Sequence, residues 1–151
     1  MASPKRSIGI DLGGARCGVA VDDELGQLAF PRPNLPAKDR KALVEALARL
    51  AREVDARRFV IGLPLEMTGQ EGRAAERVRT FAQFLADASG LEVVLWDERL
   101  STVEAAGQLR RAGHDARGQK DLIDGAAAVT ILQSWLDARR ARRAAKKQEG
   151  A

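Results

Sequence analysis

The stretch "LEVVLWDERLSTVEA" at residues 91–105 holds a strand pattern, a charged turn and the start of a helix pattern. Five of its first six residues are apolar, and a second apolar run, "FVIG" at residues 59–62, lies upstream. Continuous apolar runs are typical of parallel strands that are covered on both faces of a sheet. We therefore predict that both runs are central parallel strands.

Helix patterns alternate with these strands. Apolar residues recur at helical spacing through residues 40–54, behind a predicted N-cap at Asp39. A second amphipathic pattern at residues 74–88 ends at Gly90, a predicted C-cap. Its apolar face is predicted to consist of Val78, Phe81, Phe84 and Leu85. Strands that alternate with amphipathic helices indicate the α/β class.

The first 36 residues have a different pattern. "SIGIDLG" and "CGVAVDD" flank two glycines, Gly13 and Gly14, and predict a β-hairpin. "FPRPNLP" at residues 30–36 has three prolines, and because proline cannot donate to a strand ladder, it predicts a loop or an edge strand.

Composition and charge fit one globular domain. A chain of 151 residues buries about 70% of its unfolded surface, which is enough for a core of its own. The net charge is +4, whereas residues 138–147 alone carry six positive charges, so the rest of the chain has a net charge of −2. We predict a domain at residues 1–137 and a basic tail at residues 138–151. The positive excess permits a nucleic-acid partner.

The compartment is predicted from what the sequence lacks. Cys17 is the single cysteine, so an internal disulfide and a cysteine-based zinc site are excluded. The N-terminus has no apolar run before a cleavage site, and no window approaches 18 uninterrupted apolar residues. We predict a cytoplasmic protein with no membrane partner.

Carboxylates stand where predicted strands end. Asp11 closes the first strand, and Asp97 and Glu98 close the last one. A strand-terminal acid is more often a turn former or a helix cap than a catalyst. For Asp97 and Glu98 that interpretation weakens, because "STVE" at residues 101–104 already supplies a capping box for the next helix.

Asp124 lies on the apolar face of the final predicted helix, which starts near Gln119. The positions that share this face are Ala127, Ala128, Ile131 and Trp135. A carboxylate there is costly unless it is paired or binds a cation. A salt bridge to Arg16 or Arg99 and a metal site are equally compatible with the pattern. Oxygen ligands from separate segments favour Mg²⁺ or Mn²⁺, and two such ions would suit phosphodiester hydrolysis.

Four segments together resemble the YqgF/RuvX family, in order and with natural spacing. They are "IDLGGARCGVAVDD", "VIGLPLEMTGQEGRAAERVRTFAQFL", "WDERLSTVEA" and "LIDGAAAVTILQSWL". The resemblance implies a ribonuclease H-like fold, with a central mixed five-stranded sheet flanked by helices. It also implies a two-metal carboxylate site made of Asp11, an acid within Asp97–Glu98, and Asp124. The implied activity is Holliday junction resolution, or nuclease action at the 5′ end of the 16S ribosomal RNA precursor.

Strand parity does not decide between Asp97 and Glu98, since each shares a face with apolar neighbours. We retain both as predicted ligands and favour Glu98 for its longer reach. Arg16 and Arg99 are predicted to bind substrate phosphate, because a guanidinium can bind phosphate bidentately. Lys120 is predicted to bind substrate phosphate as well. For Arg99, a salt bridge to the neighbouring acids is an equal alternative. The polar segment at residues 113–121, which contains Lys120, is interpreted as a loop over the site.

Two other function classes stay open at this point. A non-catalytic RNA-binding module for ribosome assembly could use the same fold and would bind RNA without a metal. An ATP-binding fold of the actin and hexokinase type is suggested by "DLGGARCG", but that architecture normally needs two such domains. The predicted partner is branched DNA or precursor ribosomal RNA, and the protein is predicted to be a monomer or a homodimer.

Overall fold

The computed structural model describes residues 6–100 and 116–149, with side chains for residues 6–100 and 125–148. The elements are β1 (Arg6–Leu12), β2 (Arg16–Asp22), β3 (Ala29–Pro36), α1 (Arg40–Val54), β4 (Ala56–Leu63), α2 (Arg73–Ser89), β5 (Glu92–Asp97), a 3-10 turn (Glu98–Leu100) and α3 (Ala116–Glu149). This order confirms the α/β class. The helix predicted after β5, with its capping box at residues 101–104, lies outside the described residues.

One five-stranded sheet runs in the order β3-β2-β1-β4-β5. Strands β1, β4 and β5 are parallel, while β2 and β3 are antiparallel to their neighbours. The predicted mixed sheet flanked by helices is therefore confirmed. The proline-rich segment at residues 30–36 lies in β3, at one edge of the sheet. Of the two predicted alternatives, the edge strand is therefore confirmed.

The prediction that "VVLW" is a central strand is wrong. This run lies in β5, which pairs only with β4 in the described part of the chain, so it is an edge strand. The predicted parallel pairing and the predicted cover on both faces are nevertheless present, because β5 is parallel to β4 and an apolar cluster packs on each face. Val93 and Leu95 pack against the cluster formed with α1 and α2, whereas Val94 and Trp96 pack against the cluster formed with α3.

Helices α1 and α2 cover one face of the sheet. The predicted N-cap is confirmed, since Asp39 Oδ1 accepts a hydrogen bond from the backbone N–H of Ala42 (3.1 Å). The predicted C-cap of α2 is also confirmed, because Gly90 has a φ of 70° and donates to the carbonyl of Ala86. Left-handed backbone of this kind favours glycine.

The predicted apolar face of α2 is correct except at Phe84. Val78, Phe81 and Leu85 are buried, whereas Phe84 is 62% exposed. Phe84 lines a groove of about 960 Å³ between α1 and α2 instead of reaching the sheet. A helical face is wider than its buried stripe, so periodicity alone includes residues at its margin.

Helix α3 covers the opposite face of the sheet. The predicted face is confirmed at Ala128, Ile131 and Trp135, which are at most 6% exposed. The helix begins at Ala116, so residues 116–121 are helical and the loop interpretation is wrong for them. Within the residues that the structure describes, no helix combines the length and apolar content needed to cross a bilayer.

Two glycines let α3 lie very close to the sheet. A Cβ built on Gly9 of β1 would be 2.6 Å from Leu132 Cβ and 2.9 Å from the Ala128 carbonyl oxygen. A Cβ on Gly125 of α3 would be 2.7 Å from Pro31 Cβ in β3. Gly125 therefore lets α3 lie close to β3, because a side chain at this position would clash with Pro31.

A buried polar cluster lies at the end of the sheet where β1 and β4 begin. Asp22 is 4% exposed, and its Oδ1 accepts from the Ser7 backbone N–H (2.8 Å). Arg58 donates to Ser7 Oγ (3.1 Å), forms an ion pair with Glu92 and lies 5.2 Å from the Trp135 ring centroid. Burial is the largest cause that raises the pKa of Asp22 to about 6.

This pKa makes stability depend on pH. A carboxyl whose pKa rises on folding from 3.8 to about 6 stabilises the folded state only while it is protonated, so stability falls as pH rises through that range. We expect Asp22→Asn to raise the free energy of unfolding above pH 6 by up to about 3 kcal/mol, because one pKa unit is about 1.4 kcal/mol. Below about pH 4 the two proteins should be alike.

Urea unfolding between pH 4 and pH 8 tests this expectation. Asp87→Asn on α2 is the control, because it makes the same change from carboxylate to amide at an exposed position. A wild-type protein that is more stable than Asp22→Asn at pH 8 would contradict the prediction.

Candidate active site

Strands β1, β4 and β5 are parallel, so their carboxyl ends meet at one edge of the sheet. Functional groups of open α/β sheets collect at this edge. Asp11 is the penultimate residue of β1, and Asp97 ends β5 opposite Leu63 of β4. Glu98 follows directly in the 3-10 turn. The structure therefore brings Asp11, Asp97 and Glu98 to the same edge.

The packing of α3 shows which face each carboxylate occupies. Gly9 contacts α3, and Asp11 lies two residues further along β1, on the same face because strand side chains alternate. Glu98 lies on this face too, since its Cγ is 3.8 Å from a Cβ built on Gly62, and that Cβ would also meet Ile131 of α3. Asp97 alternates with Trp96, which packs against α3, and so belongs to the other face.

Asp11 and Glu98 form a half-buried carboxylate pair. Burial raises the pKa of Asp11. The pKa of Glu98 is raised first by burial, then by the negative charge of Asp11, and then by that of Asp97. Two ionised carboxylates in such a place repel each other, and a cation would stabilise both. Their donor atoms are oxygens, which fit Mg²⁺ or Mn²⁺.

Asp97 forms a bidentate ion pair with Arg99. Arg99 donates from Nε to Oδ1 (3.1 Å) and from Nη2 to Oδ2 (2.8 Å), and its backbone N–H donates to Oδ1 (3.0 Å). The side-chain hydrogen bond from Arg99 is the largest cause that lowers the pKa of Asp97. The predicted salt-bridge alternative for Arg99 is thus present. The pair also fixes the direction of a guanidinium whose side chain is 44% exposed.

Arg16 is exposed at the start of β2, beyond the turn that follows Asp11. Its carbonyl accepts a hydrogen bond from the Gly13 N–H (3.0 Å) and closes this turn. Arg40 braces the turn, because its Nη1 donates to the carbonyls of Gly13 and Ala37 (both 3.0 Å). Sequence reasoning missed Arg40, since nothing near it in the chain marks this contact.

Asp124 and Lys120 belong to α3, and the structure describes their backbone. Their side chains are not among those that it describes. Asp124 directly precedes Gly125, the residue that packs against Pro31, and lies one turn before Ala128, which packs against Gly9. Among the side chains that are described, no three carboxylate, histidine or cysteine groups could hold a metal ion together. The third ligand thus stays a prediction.

Residues 5–138 match the family described as RuvX, Holliday junction resolvase. The chain belongs to the RuvX family. A relative from Myxococcus xanthus is 46% identical over 135 residues, which are 89% of each chain. One from an Anaeromyxobacter species is 44% identical over 136 residues, 90% of this chain and 99% of the relative. Both are provisionally named pre-16S rRNA nuclease.

Solved structures share the fold of this RuvX family member. RuvC from T. thermophilus, determined with a Holliday junction substrate, has a TM-score of 0.55 at 12% identity and covers 91% of this chain and 96% of its own. The fowlpox virus resolvase, determined with Holliday junction DNA, has a TM-score of 0.53 at 10% identity, with coverages of 88% and 97%. At these identities the likeness shows the fold, which confirms the ribonuclease H-like prediction.

Proposed function

We propose that this RuvX family member is a divalent-metal-dependent nuclease that hydrolyses phosphodiesters in structured nucleic acid. The observation that carries the proposal is the half-buried Asp11–Glu98 pair at the carboxyl ends of three parallel strands. The family description and the names of the relatives support a nuclease, with Holliday junctions or the 16S rRNA precursor as substrates.

The carboxylates would hold the ions. Asp11 and Glu98 supply oxygen donors from one face of the sheet, and Asp124 is the proposed third ligand from α3. Asp97 is the acid next to Glu98 and holds the Arg99 guanidinium. Bound Mg²⁺ or Mn²⁺ ions would supply activation of a water and stabilisation of the leaving oxygen. The protein's part is to hold these carboxylates close together and partly shielded from solvent, where bound cations would favour their ionised forms.

Arg99, Arg16 and Lys120 are proposed to bind substrate phosphates. Arg99 is the best supported of the three, because Asp97 holds its guanidinium from one side in a bidentate contact. A guanidinium that is already oriented loses less entropy when it binds a phosphate. A cytoplasmic location and the choice between monomer and homodimer remain predictions.

Metal removal tests the proposal. With Mg²⁺ or Mn²⁺, the protein should cleave at least one of three substrates: a four-way DNA junction, an rRNA precursor fragment or single-stranded DNA. EDTA should reduce cleavage to the uncatalysed level, because the carboxylates alone provide no activated water. Gel analysis of end-labelled substrates at one salt concentration measures both effects.

Two outcomes would contradict this proposal. Equal cleavage in EDTA would exclude a metal-dependent mechanism. RNA binding that is unaffected by EDTA, with no cleavage under any metal, would favour the non-catalytic binding module.

A further inference from the structure

One face of helix α3 is apolar where the helix packs on the sheet and basic where it extends beyond the sheet. The face that packs on the sheet consists of Ala128, Ile131, Leu132, Trp135 and Leu136. On the same face, Arg139 lies one turn after Trp135, and Arg143 lies two turns after Leu136. Residues 140–148 continue the helix and are exposed. The stripe that was apolar over the sheet is therefore basic beyond it.

This basic part of α3 faces further arginines at the start of β4. The guanidiniums of Arg139 and Arg58 each lie 5.2 Å from the centroid of the Trp135 ring. The pKa of Arg139 is lowered first by burial and then by the positive charges of Arg58 and Arg143, with a smaller effect from Arg57. We call these four arginines the basic notch.

Nearby acids only partly offset this charge. Asp22 acts on Arg139 in the opposite direction to the arginines, and Glu92 forms an ion pair with Arg58 (3.5 Å). Further along α3, Arg140 pairs with Asp137. Crowded like charges are unfavourable unless an anion lies between them, so the notch suits a negatively charged partner.

We propose that the basic notch, together with the exposed basic residues of α3 up to Lys147, binds the phosphate backbone of a nucleic-acid duplex. This inference rests on the proposed function, because the duplex is taken to be a flank of the nuclease substrate. Residues 138–147 hold six positive charges while the rest of the chain has a net charge of −2. The body of the protein therefore repels a polyanion, and this helix end attracts it.

The position of the notch sets a minimum length for the substrate. Ile131 and the Glu98 side chain meet at Gly62, so this point of α3 marks the candidate active site. From Ile131 to Arg143 the helix rises about 18 Å, at 1.5 Å per residue. A duplex with 3.4 Å per base pair spans this distance only when it has at least about five base pairs.

The test compares two triple variants with equal loss of charge. Arg143→Gln/Lys146→Gln/Lys147→Gln removes three exposed charges from the end of α3. Arg49→Gln/Arg52→Gln/Arg77→Gln removes three exposed charges from α1 and α2, on the other face of the sheet. Binding of a labelled 20-base-pair duplex is measured by fluorescence anisotropy in EDTA at several salt concentrations. DNA and RNA duplexes form separate arms.

The α3 variant should bind at least about 10-fold more weakly at 0.1 M salt. The slope of log K against log salt should fall by about 2 to 3, since each lost phosphate contact removes about 0.9. The control variant should keep the wild-type slope. Equal losses in both variants, or no loss in the α3 variant, would overturn the inference.

This measurement separates the two proposals, because it needs no cleavage. If the α3 variant has a smaller salt slope but the wild type shows no nuclease activity with any metal, the proposed nuclease is rejected and the notch is retained. Metal-dependent cleavage by the wild type, with an unchanged salt slope in the α3 variant, would retain the proposed nuclease and reject the notch. Weaker binding of the α3 variant to phosphatidylserine vesicles, with unchanged duplex binding, would assign the notch to a lipid surface and overturn the inference.

Discussion

Asp11→Asn and Glu98→Gln should each lower the rate of metal-dependent cleavage by about 1000-fold or more, equivalent to about 4 kcal/mol of transition-state stabilisation. Each change removes a charged oxygen donor from the half-buried pair while keeping its size. Because burial raises the pKa of both carboxyls, neither variant should be less stable than the wild type. Single-turnover cleavage and urea unfolding measure the two effects.

Asp97→Asn is the matched control for these variants. Asp97 lies beside Glu98 but on the other face of β5, where it holds Arg99. The substitution should reduce cleavage by no more than about 10-fold, through weaker orientation of Arg99. A larger loss in Asp97→Asn than in Glu98→Gln would assign the metal ligand to Asp97. Full activity in both Asp11→Asn and Glu98→Gln would reject the active site proposed here.

Gly9→Ala should destabilise the fold by about 3 kcal/mol, the upper end of the usual range for an overpacked core. The new methyl would lie 2.6 Å from Leu132 Cβ and 2.9 Å from a backbone oxygen of α3. Neither atom belongs to the flexible end of a side chain, so the helix itself has to move. For a chain of this size, the thermal midpoint should fall by about 6 to 12 °C.

Gly14→Ala is the control for this prediction. It changes another glycine near the same strand, but nothing lies within 4 Å of the added carbon. Its thermal midpoint should stay close to that of the wild type. A Gly9→Ala protein as stable as Gly14→Ala would show that α3 is free to move away from β1, and thermal unfolding followed by circular dichroism would detect this.

Periodicity and turn chemistry predicted most of the fold. The cap at Asp39, the C-cap at Gly90 and the proline-rich edge strand depend on residues that are neighbours in the chain. The position of β5 at an edge could not be predicted in this way. Its apolar run indicates that both faces of the strand are covered. The pattern does not show whether the strand pairs with one neighbouring strand or with two.

The convergence of Asp11, Asp97 and Glu98 at one edge of the sheet was predictable, but the face that each acid occupies was not. Parity along the sequence left Asp97 and Glu98 equivalent, because both alternate with apolar residues. The distinction depends on which face α3 covers, and that is set by Gly9 and Gly62, far from both acids in the chain. Arg40 was missed for the same reason, since its hydrogen bond to the carbonyl of Gly13 joins residues that are 27 positions apart in the chain.

The three prolines of β3 affect how the protein behaves at high concentration. An exposed sheet edge offers unpaired backbone groups to a strand of another molecule, which leads to aggregation. Pro31, Pro33 and Pro36 have no backbone N–H to donate, and they occupy the outer strand. Strand addition at β3 is therefore disfavoured. If the protein self-associates, we expect it to do so through side-chain surfaces and not by extending the sheet at this edge.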